Sequence, residues 1–305
     1  MPDLRTSLGR LTLNNPVTVA SGTYGYGTEY LDFYPPDRLG AVFLKGITMK
    51  PRAGNLPPRI VETPAGMLNA IGLQNVGLDA FIKEKMAALK DVPGTFIANV
   101  AAESVEEFAI MAERLSAVPN LAAIEVNVSC PNVKQGGMAF GVSAKATEEI
   151  THAVRQSTPL PVIVKLSPNV TSVSEIARAA EAGGADALSL INTLLGMVLD
   201  VETRRPMLGN MTGGLSGPAV RPVAVRMVWD VAKNVRIPLI GMGGIRTARD
   251  AVEFLLAGAS AVSIGTAVFQ DPMSPLKILD GIRDYMTGHG MTRMADIIGK
   301  IEVEA

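Results

Sequence analysis

Eight short runs of β-branched and aliphatic residues recur along this chain, separated by longer segments whose apolar residues have helical spacing. Continuous apolar runs are typical of parallel strands that are buried on both faces. The intervening segments 104–118 and 172–184 show the helical spacing clearly. The pattern therefore predicts an α/β protein, with strands at residues 16–20, 41–46, 95–100, 121–128, 161–166, 186–191, 237–242 and 260–265.

The number of strand–helix units favours a closed barrel. Eight units in 305 residues predict a (β/α)8 TIM barrel, whereas a doubly wound sheet needs a reversal of strand order that we do not find in the sequence. No linker rich in Pro or Ser divides the chain, so residues 1–305 are expected to form a single domain. The segments after strands 2, 4 and 6 are the longest, and we interpret them as insertions at the C-terminal rim, where such barrels carry their active sites.

Charge and composition exclude several classes of protein. The 28 Lys and Arg residues are balanced by 29 Asp and Glu residues, which leaves no positive field for binding nucleic acid. The only cysteine, Cys130, excludes an internal disulfide and a four-thiolate iron–sulfur cluster, and no metal site is predicted. The N-terminus lacks the apolar core of a secretion signal, and the weakly charged stretch 254–269 is too short to cross a membrane. We expect a cytoplasmic protein that binds a small molecule.

Polar residues and glycines stand where most of the predicted strands end. These ends meet at one rim of a barrel, so the residues are expected to surround one ligand, although turn-forming residues would give a similar pattern. Turns explain Lys45 and Lys165 poorly, because a lysine that follows an apolar run is rarely buried without an anionic partner. The residues at these ends are Ser21, Gly22, Lys45, Gly46, Asn99, Asn127, Lys165, Asn192, Gly243, Gly244, Gly265 and Thr266.

Two glycine-containing turns and one loop carry further signals. GMGGIR and SIGTAVF each join a strand end to the start of a helix, a combination that can hold a phosphate and that also occurs for packing alone. Neither has the spacing of a Rossmann or P-loop motif. Cys130 lies in a long loop where either a nucleophile or a general base would be placed, and Pro131 with the pair Gly136-Gly137 suggests a lid with hinges.

Seven motifs between Ser21 and Thr266 together resemble the dihydroorotate dehydrogenases, flavin enzymes of pyrimidine biosynthesis. The cysteine in NVSCPN is similar to that of the soluble class 1 enzymes, since the membrane-bound class 2 enzymes use serine. The segments NAIGLQNVGLDAF, NVKQGGMAFG and NTLLGM, together with TGGLSGP, are more similar to the NAD-linked class 1B catalytic subunit than to the fumarate-using class 1A enzymes. The motifs are NAIGLQNVG, NVSCPN, VKLSPN, INTLLGM, TGGLSGP, GMGGI and IGTA.

The resemblance implies an FMN across the barrel mouth. Gly243, Gly244, Gly265 and Thr266 would hold its phosphate. Lys165 would lie beside the pyrimidine edge of the flavin, where an ammonium group offsets negative charge. The other residues expected to line the cofactor are Ser21, Lys45, Gly46, Asn99, Asn127, Ile191 and Gly217.

The resemblance also implies the reaction, the oxidation of (S)-dihydroorotate to orotate. Cys130 would remove the proton from C5 of the substrate while the hydride from C6 passes to FMN. The substrate has a carboxylate and a cyclic urea–imide edge, and amide side chains offer this edge both a donor and an acceptor. The residues expected to bind it are Lys45, Asn69, Ala70, Ile71, Gly72, Leu73, Asn127, Asn192 and Thr193.

Class 1B resemblance implies NAD as the final electron acceptor, yet the sequence has no Rossmann fingerprint. The resemblance therefore implies a partner subunit that carries FAD and a [2Fe–2S] cluster and passes electrons to NAD. The expected assembly is a heterotetramer in which two catalytic chains form a homodimer.

Three alternatives stay open. A dihydrouridine synthase is another FMN barrel, but the balanced charge and the lack of an added basic domain count against an RNA substrate. A flavin-free barrel lyase would use Lys165 as a Schiff-base nucleophile and the glycine turns for a substrate phosphate. A noncatalytic scaffold would leave the lysines, the asparagines and Cys130 with no reason to converge.

Overall fold

The computed structural model describes residues 1–129, 131–132 and 138–302, with the backbone alone at 131, 132, 138 and 139. Its strands are β1 (Thr6–Leu8), β2 (Leu11–Leu13), β3 (Val17–Val19), β4 (Ala41–Phe43), β5 (Ile60–Thr63), β6 (Gly66–Asn69), β7 (Phe96–Val100), β8 (Leu121–Asn127), β9 (Pro131–Asn132), β10 (Met138–Ala139), β11 (Val162–Lys165), β12 (Ala187–Leu190), β13 (Leu194–Gly196), β14 (Leu199–Asp200), β15 (Arg205–Pro206), β16 (Gly213–Ser216), β17 (Leu239–Met242) and β18 (Ala261–Ile264).

Eight of these strands run parallel and close a barrel in the order β3, β4, β7, β8, β11, β12, β17, β18. Each of them falls within one of the eight predicted runs, so the prediction of a (β/α)8 barrel is confirmed. The ring closes where β18 pairs with β3, with Val262 opposite Val17 and Ile264 opposite Val19. Because the strands are parallel, all of their C-terminal ends lie at one rim.

The helices pack around the outside of the barrel, and four of them, α2, α3, α4 and α6, begin at side-chain caps. Ser104, Ser143, Ser172 and Thr247 each accept a hydrogen bond from a backbone N–H in the first turn of the helix that follows. The helices are α1 (Gly77–Ala80), which continues as π-helix over Phe81–Met86, α2 (Val105–Ser116), α3 (Ala144–Ser157), α4 (Val173–Ala182), α5 (Arg221–Ala232), α6 (Ala248–Leu256), α7 (Ala267–Gln270) and α8 (Ser274–Gly288).

The interior of the barrel is apolar at its N-terminal end. Phe43, Ile97 and Ile163 point inward and pack with Leu8 and Leu13 of the β1–β2 hairpin. The hairpin contributes to this apolar interior, a role that the sequence pattern did not predict because its strands are only three residues long.

The insertions after the second and sixth barrel strands meet in one antiparallel sheet, whose order is β13, β16, β6, β5. Gly214 of the later insertion pairs with Asn69 of the earlier one, and Ser216 pairs with Met67. The fourth barrel strand is followed by the antiparallel pair β9–β10. The insertions themselves were predicted, whereas the sheet that two of them share was not. In the described ranges, no helix is long and apolar enough to cross a membrane.

Asp186, the residue just before β12, links three elements at the N-terminal side of the barrel. Its carboxylate accepts hydrogen bonds from Arg10 Nε at 3.0 Å, Arg155 Nη1 at 2.7 Å and the Val162 backbone N–H at 2.9 Å. We expect Asp186→Ala to lower the free energy of unfolding by about 2–4 kcal/mol, because it leaves the half-buried Arg155 without its anion.

Urea denaturation followed by circular dichroism measures this loss. Asp3→Ala is the matched control, because Asp3 pairs with Arg5 at the exposed surface, where an ion pair contributes little. Equal effects of the two substitutions would contradict the role we assign to Asp186.

Candidate active site

The C-terminal rim of the barrel carries the two lysines that the sequence singled out. Lys165 is the last residue of β11 and is only 7% exposed. Within the described part of the chain it forms no ion pair. A buried ammonium group without a protein anion is a candidate for contact with a negatively charged ligand. Lys45 follows β4 and is half-buried at the same rim.

The surroundings of Lys45 lower its pKa below the ordinary value of a lysine. Burial lowers the pKa of Lys45, the positive charge of Arg59 lowers it further, and Glu29 acts in the opposite direction. Arg59 was missed by the sequence analysis, because it lies in an insertion and not at the end of a barrel strand. It is placed near Lys45 by its loop, where the Arg59 carbonyl accepts a hydrogen bond from Ala70 N–H.

Three of the predicted cofactor residues meet beside β4 and β7. A side chain at Gly46 would collide with Asn99, since a Cβ there would lie 2.7 Å from Asn99 Oδ1 and 3.9 Å from Ser21 Oγ. Asn99 Nδ2 donates to Glu125 Oε2 at 2.5 Å, and Ser189 Oγ donates to Glu125 Oε1 at 2.6 Å. Glu125 was not predicted as a site residue, because it stands alone within an apolar run.

A second group of predicted cofactor residues meets across the rim. At Gly244, with φ +80°, a Cβ would lie 2.8 Å from the Arg221 backbone nitrogen and from the Gly217 carbonyl oxygen. A Cβ at Gly243 would lie 3.2 Å from Ile191 Cγ1. Backbone atoms therefore fill the space that a side chain would take at Gly244, and only glycine fits there.

These turns leave backbone donors available for an anion. Among the described residues, no acceptor is bound by the backbone N–H groups of Gly243, Gly244, Gly265 and Thr266. Thr266 Oγ1 donates to Ser216 Oγ at 2.8 Å, which joins the turn after β18 to the end of β16. Free N–H groups in glycine turns are the kind of site that phosphate oxygens occupy. The phosphate of FMN fits this arrangement.

The start of helix α6 is capped by two of the residues that surround it. Asp250 Oδ2 accepts hydrogen bonds from the backbone N–H groups of Arg246 and Thr247. The Thr247 hydroxyl oxygen in turn accepts a hydrogen bond from the Asp250 backbone N–H. These reciprocal bonds between Thr247 and Asp250 form a capping box at the start of the helix.

The predicted substrate loop, Asn69 to Leu73, offers free N–H groups of its own. The carbonyl groups of Ala70 and Ile71 are bound by Asn55, through its side-chain amide and its backbone N–H. In the part of the loop that the structure describes, the N–H groups of Ile71, Gly72 and Leu73 bind no protein acceptor, and φ is positive at Gly72 and Leu73. Successive free N–H groups of this kind can hold a carboxylate. Asn69 Nδ2 donates to the Gly214 carbonyl at 3.3 Å, so that its Oδ1 is left for a ligand.

The remaining predicted residues lie near the loop of the cysteine. Asn192 Nδ2 donates to Ser129 Oγ at 2.9 Å, and Asn127 Oδ1 accepts from the Ser129 backbone N–H at 3.2 Å. The Thr193 backbone N–H donates to Asn192 Oδ1 at 2.9 Å. Asn127 and Asn192 therefore converge on Ser129, the neighbour of Cys130 in sequence. Cys130 and residues 133–137 of the predicted lid lie outside the described residues.

Asn169 is a further site residue that sequence reasoning missed. Its Nδ2 donates to the Thr193 carbonyl at 3.0 Å, and its Oδ1 accepts from the Leu195 backbone N–H at 2.9 Å. It therefore holds the Asn192–Thr193 segment against the loop after β11. The motif VKLSPN contains this asparagine, but the sequence gives no sign of its partner.

The chain is similar to known proteins over almost its full length. The family model described as dihydroorotate dehydrogenase matches residues 3–286. A protein of Geotalea uraniireducens (strain Rf4) is 54% identical over 300 residues, which cover 98% of each chain. A protein of Bacteroides thetaiotaomicron is 54% identical over 303 residues, 99% of this chain and 100% of its own. Both are named dihydroorotate dehydrogenase B (NAD(+)), catalytic subunit. This chain belongs to the dihydroorotate dehydrogenase family.

Proposed function

We propose that this chain is the catalytic subunit of an NAD-linked dihydroorotate dehydrogenase. It would oxidise (S)-dihydroorotate to orotate in the de novo biosynthesis of UMP. The observation that carries the proposal is its similarity over almost the full length to relatives whose names give this activity and this subunit. The free N–H groups, the buried Lys165 and the asparagines at one rim support it. A cytoplasmic location remains a prediction.

FMN is the cofactor that the rim fits best. The N–H groups of Gly243, Gly244, Gly265 and Thr266 would hold its phosphate, and Lys165 would stabilise negative charge on the ring. When bound, FMN accepts the hydride that leaves the substrate. The rim residues proposed to line it are Ser21, Lys45, Gly46, Asn99, Asn127, Ile191 and Gly217.

The chain's own residues would bind the substrate and move a proton. The N–H groups of Ile71 to Leu73, with Lys45, would hold the substrate carboxylate, and Asn69, Asn127 and Asn192 would bind the urea–imide edge. Thr193 is held next to Asn192 and would support it. Cys130, as the base, would take the proton from C5 of dihydroorotate; a thiol has an ordinary pKa of about 8.5.

A partner subunit completes the electron path in this proposal. The family resemblance implies an FAD and a [2Fe–2S] cluster on this partner, and the single cysteine of this chain cannot supply the four thiolates that the cluster needs. The word "subunit" in the names of the relatives supports a partner. For the homodimer, the support is a group of exposed apolar side chains in the insertion after β12, namely Leu195, Met197, Leu199, Val201, Met207 and Met211.

Replacing the proposed base tests the chemistry. We expect Cys130→Ala to bind FMN and orotate normally, but to reduce its flavin about 10²–10⁴ times more slowly than the unaltered protein at neutral pH. Cys130→Ser should recover only at higher pH, because a hydroxyl is harder to deprotonate than a thiol. Stopped-flow bleaching of the flavin by dihydroorotate measures both rates. Near-normal bleaching by the alanine variant would exclude Cys130 as the base.

The lowered pKa of Lys45 predicts a pH dependence. A lysine with a lowered pKa loses its positive charge at a lower pH than usual, so KM for dihydroorotate should rise with pH before an ordinary lysine would titrate. Lys45→Arg should move this rise to higher pH, and Lys45→Met should have a high KM with no such rise. Measuring KM at several pH values between about pH 7 and pH 10 checks this. If KM of the methionine variant rises with pH as it does in the unaltered protein, the role assigned to Lys45 is contradicted.

The partner requirement makes a separate prediction. The purified chain alone should pass electrons from dihydroorotate to a dye but should form little NADH. The measurement is NADH absorbance with and without a partner fraction that contains FAD and iron. Robust NADH formation by the single chain would remove the need for a partner, and efficient fumarate reduction would favour the class 1A assignment.

A further inference from the structure

Glu125 is a buried carboxylate to which the proposed reaction gives no task. It lies on β8, points into the barrel and is 0% exposed. Each of its oxygens accepts one hydrogen bond, from Asn99 Nδ2 and from Ser189 Oγ. In the described part of the barrel it forms no ion pair with a lysine or arginine. Burying a carboxylate is costly, and here neutral donors alone compensate for it.

This arrangement decides how the Asn99 amide is turned. A carboxylate can only accept hydrogen bonds, so the amide must direct its NH2 group at Glu125. The Asn99 oxygen is then left on the opposite side of the amide, beside Gly46 and near Ser21. Turning the amide over would break its hydrogen bond to Glu125. Asn99 is also only 1% exposed.

We propose that Glu125 is a positioning residue, which fixes the amide of Asn99 so that its oxygen, and not its NH2 group, is presented to the flavin. The oxidised flavin ring has a single N–H, in its imide edge, and an amide oxygen is the matching acceptor. This inference rests on the proposed function, because it needs FMN at the rim. It assigns Glu125 an indirect role, through Asn99 alone.

The test exchanges the amide of Asn99 and the carboxylate of Glu125, first one at a time and then together. Asn99→Asp places two carboxylates face to face and should weaken FMN binding about tenfold or more. Glu125→Gln should stay within about threefold of the unaltered protein, because its carbonyl can accept from Asn99 while its NH2 donates to the Ser189 hydroxyl. The double variant Asn99→Asp/Glu125→Gln should recover binding to within about threefold, because glutamine donates to the inner Asp oxygen and the outer one remains an acceptor.

The readouts are the Kd for FMN, from the quenching of FMN fluorescence by apoprotein, and the Tm of each apoprotein. Ser189→Ala is the matched control: it removes the other hydrogen bond of Glu125, so it should lower Tm and leave the Kd for FMN within about threefold. A purely structural role would make the Kd follow Tm in all four variants, and that result would overturn the proposal. Equal weakening by Glu125→Gln and Asn99→Asp would overturn it too. Failure of the unaltered protein to bind FMN would overturn the proposed function together with this inference.

Discussion

The pairing of β18 with β3 is the contact on which the rest of the molecule depends. It joins Ile264 to Val19 and so brings the last barrel strand against the first. The closed ring of parallel strands puts the turns after β17 and β18 at the same rim as Ser21, Asn127 and Lys165. The free N–H groups of the glycine turns lie at one rim because of this closure, and not because of any local motif.

The side chains inside the barrel change from apolar to polar along the barrel axis. The apolar end forms the core, and the polar end carries the candidate site. Ile97 and Ile163 belong to the apolar interior, while Asn99 and Lys165, two residues further along the same strands, are polar. Side chains two apart on a strand point to the same side, so one strand supplies both the core and the site. Glu125 lies where the interior becomes polar and connects β7, β8 and β12 through its two hydrogen bonds.

The sequence predicted the elements that depend on local pattern. Every barrel strand falls within a predicted run, and the strand-end lysines do lie at the rim. It did not predict the sheet shared by two insertions, because Asn69 and Gly214 are 145 residues apart and nothing local pairs them. Glu125 was missed for the same reason: its partner Ser189 is 64 residues away and comes near only when the barrel closes. Arg59 and Asn169 act through loop contacts that have no periodic signature.

The proposed activity requires that FMN binds at the rim and that dihydroorotate is oxidised there. The most direct measurement is an anaerobic titration of the FMN-reconstituted protein with dihydroorotate, followed by flavin absorbance and by orotate formation. We expect the flavin to be bleached and one orotate to form for each flavin reduced. Protein that binds no FMN, or flavin that stays oxidised in the presence of excess dihydroorotate, would contradict it.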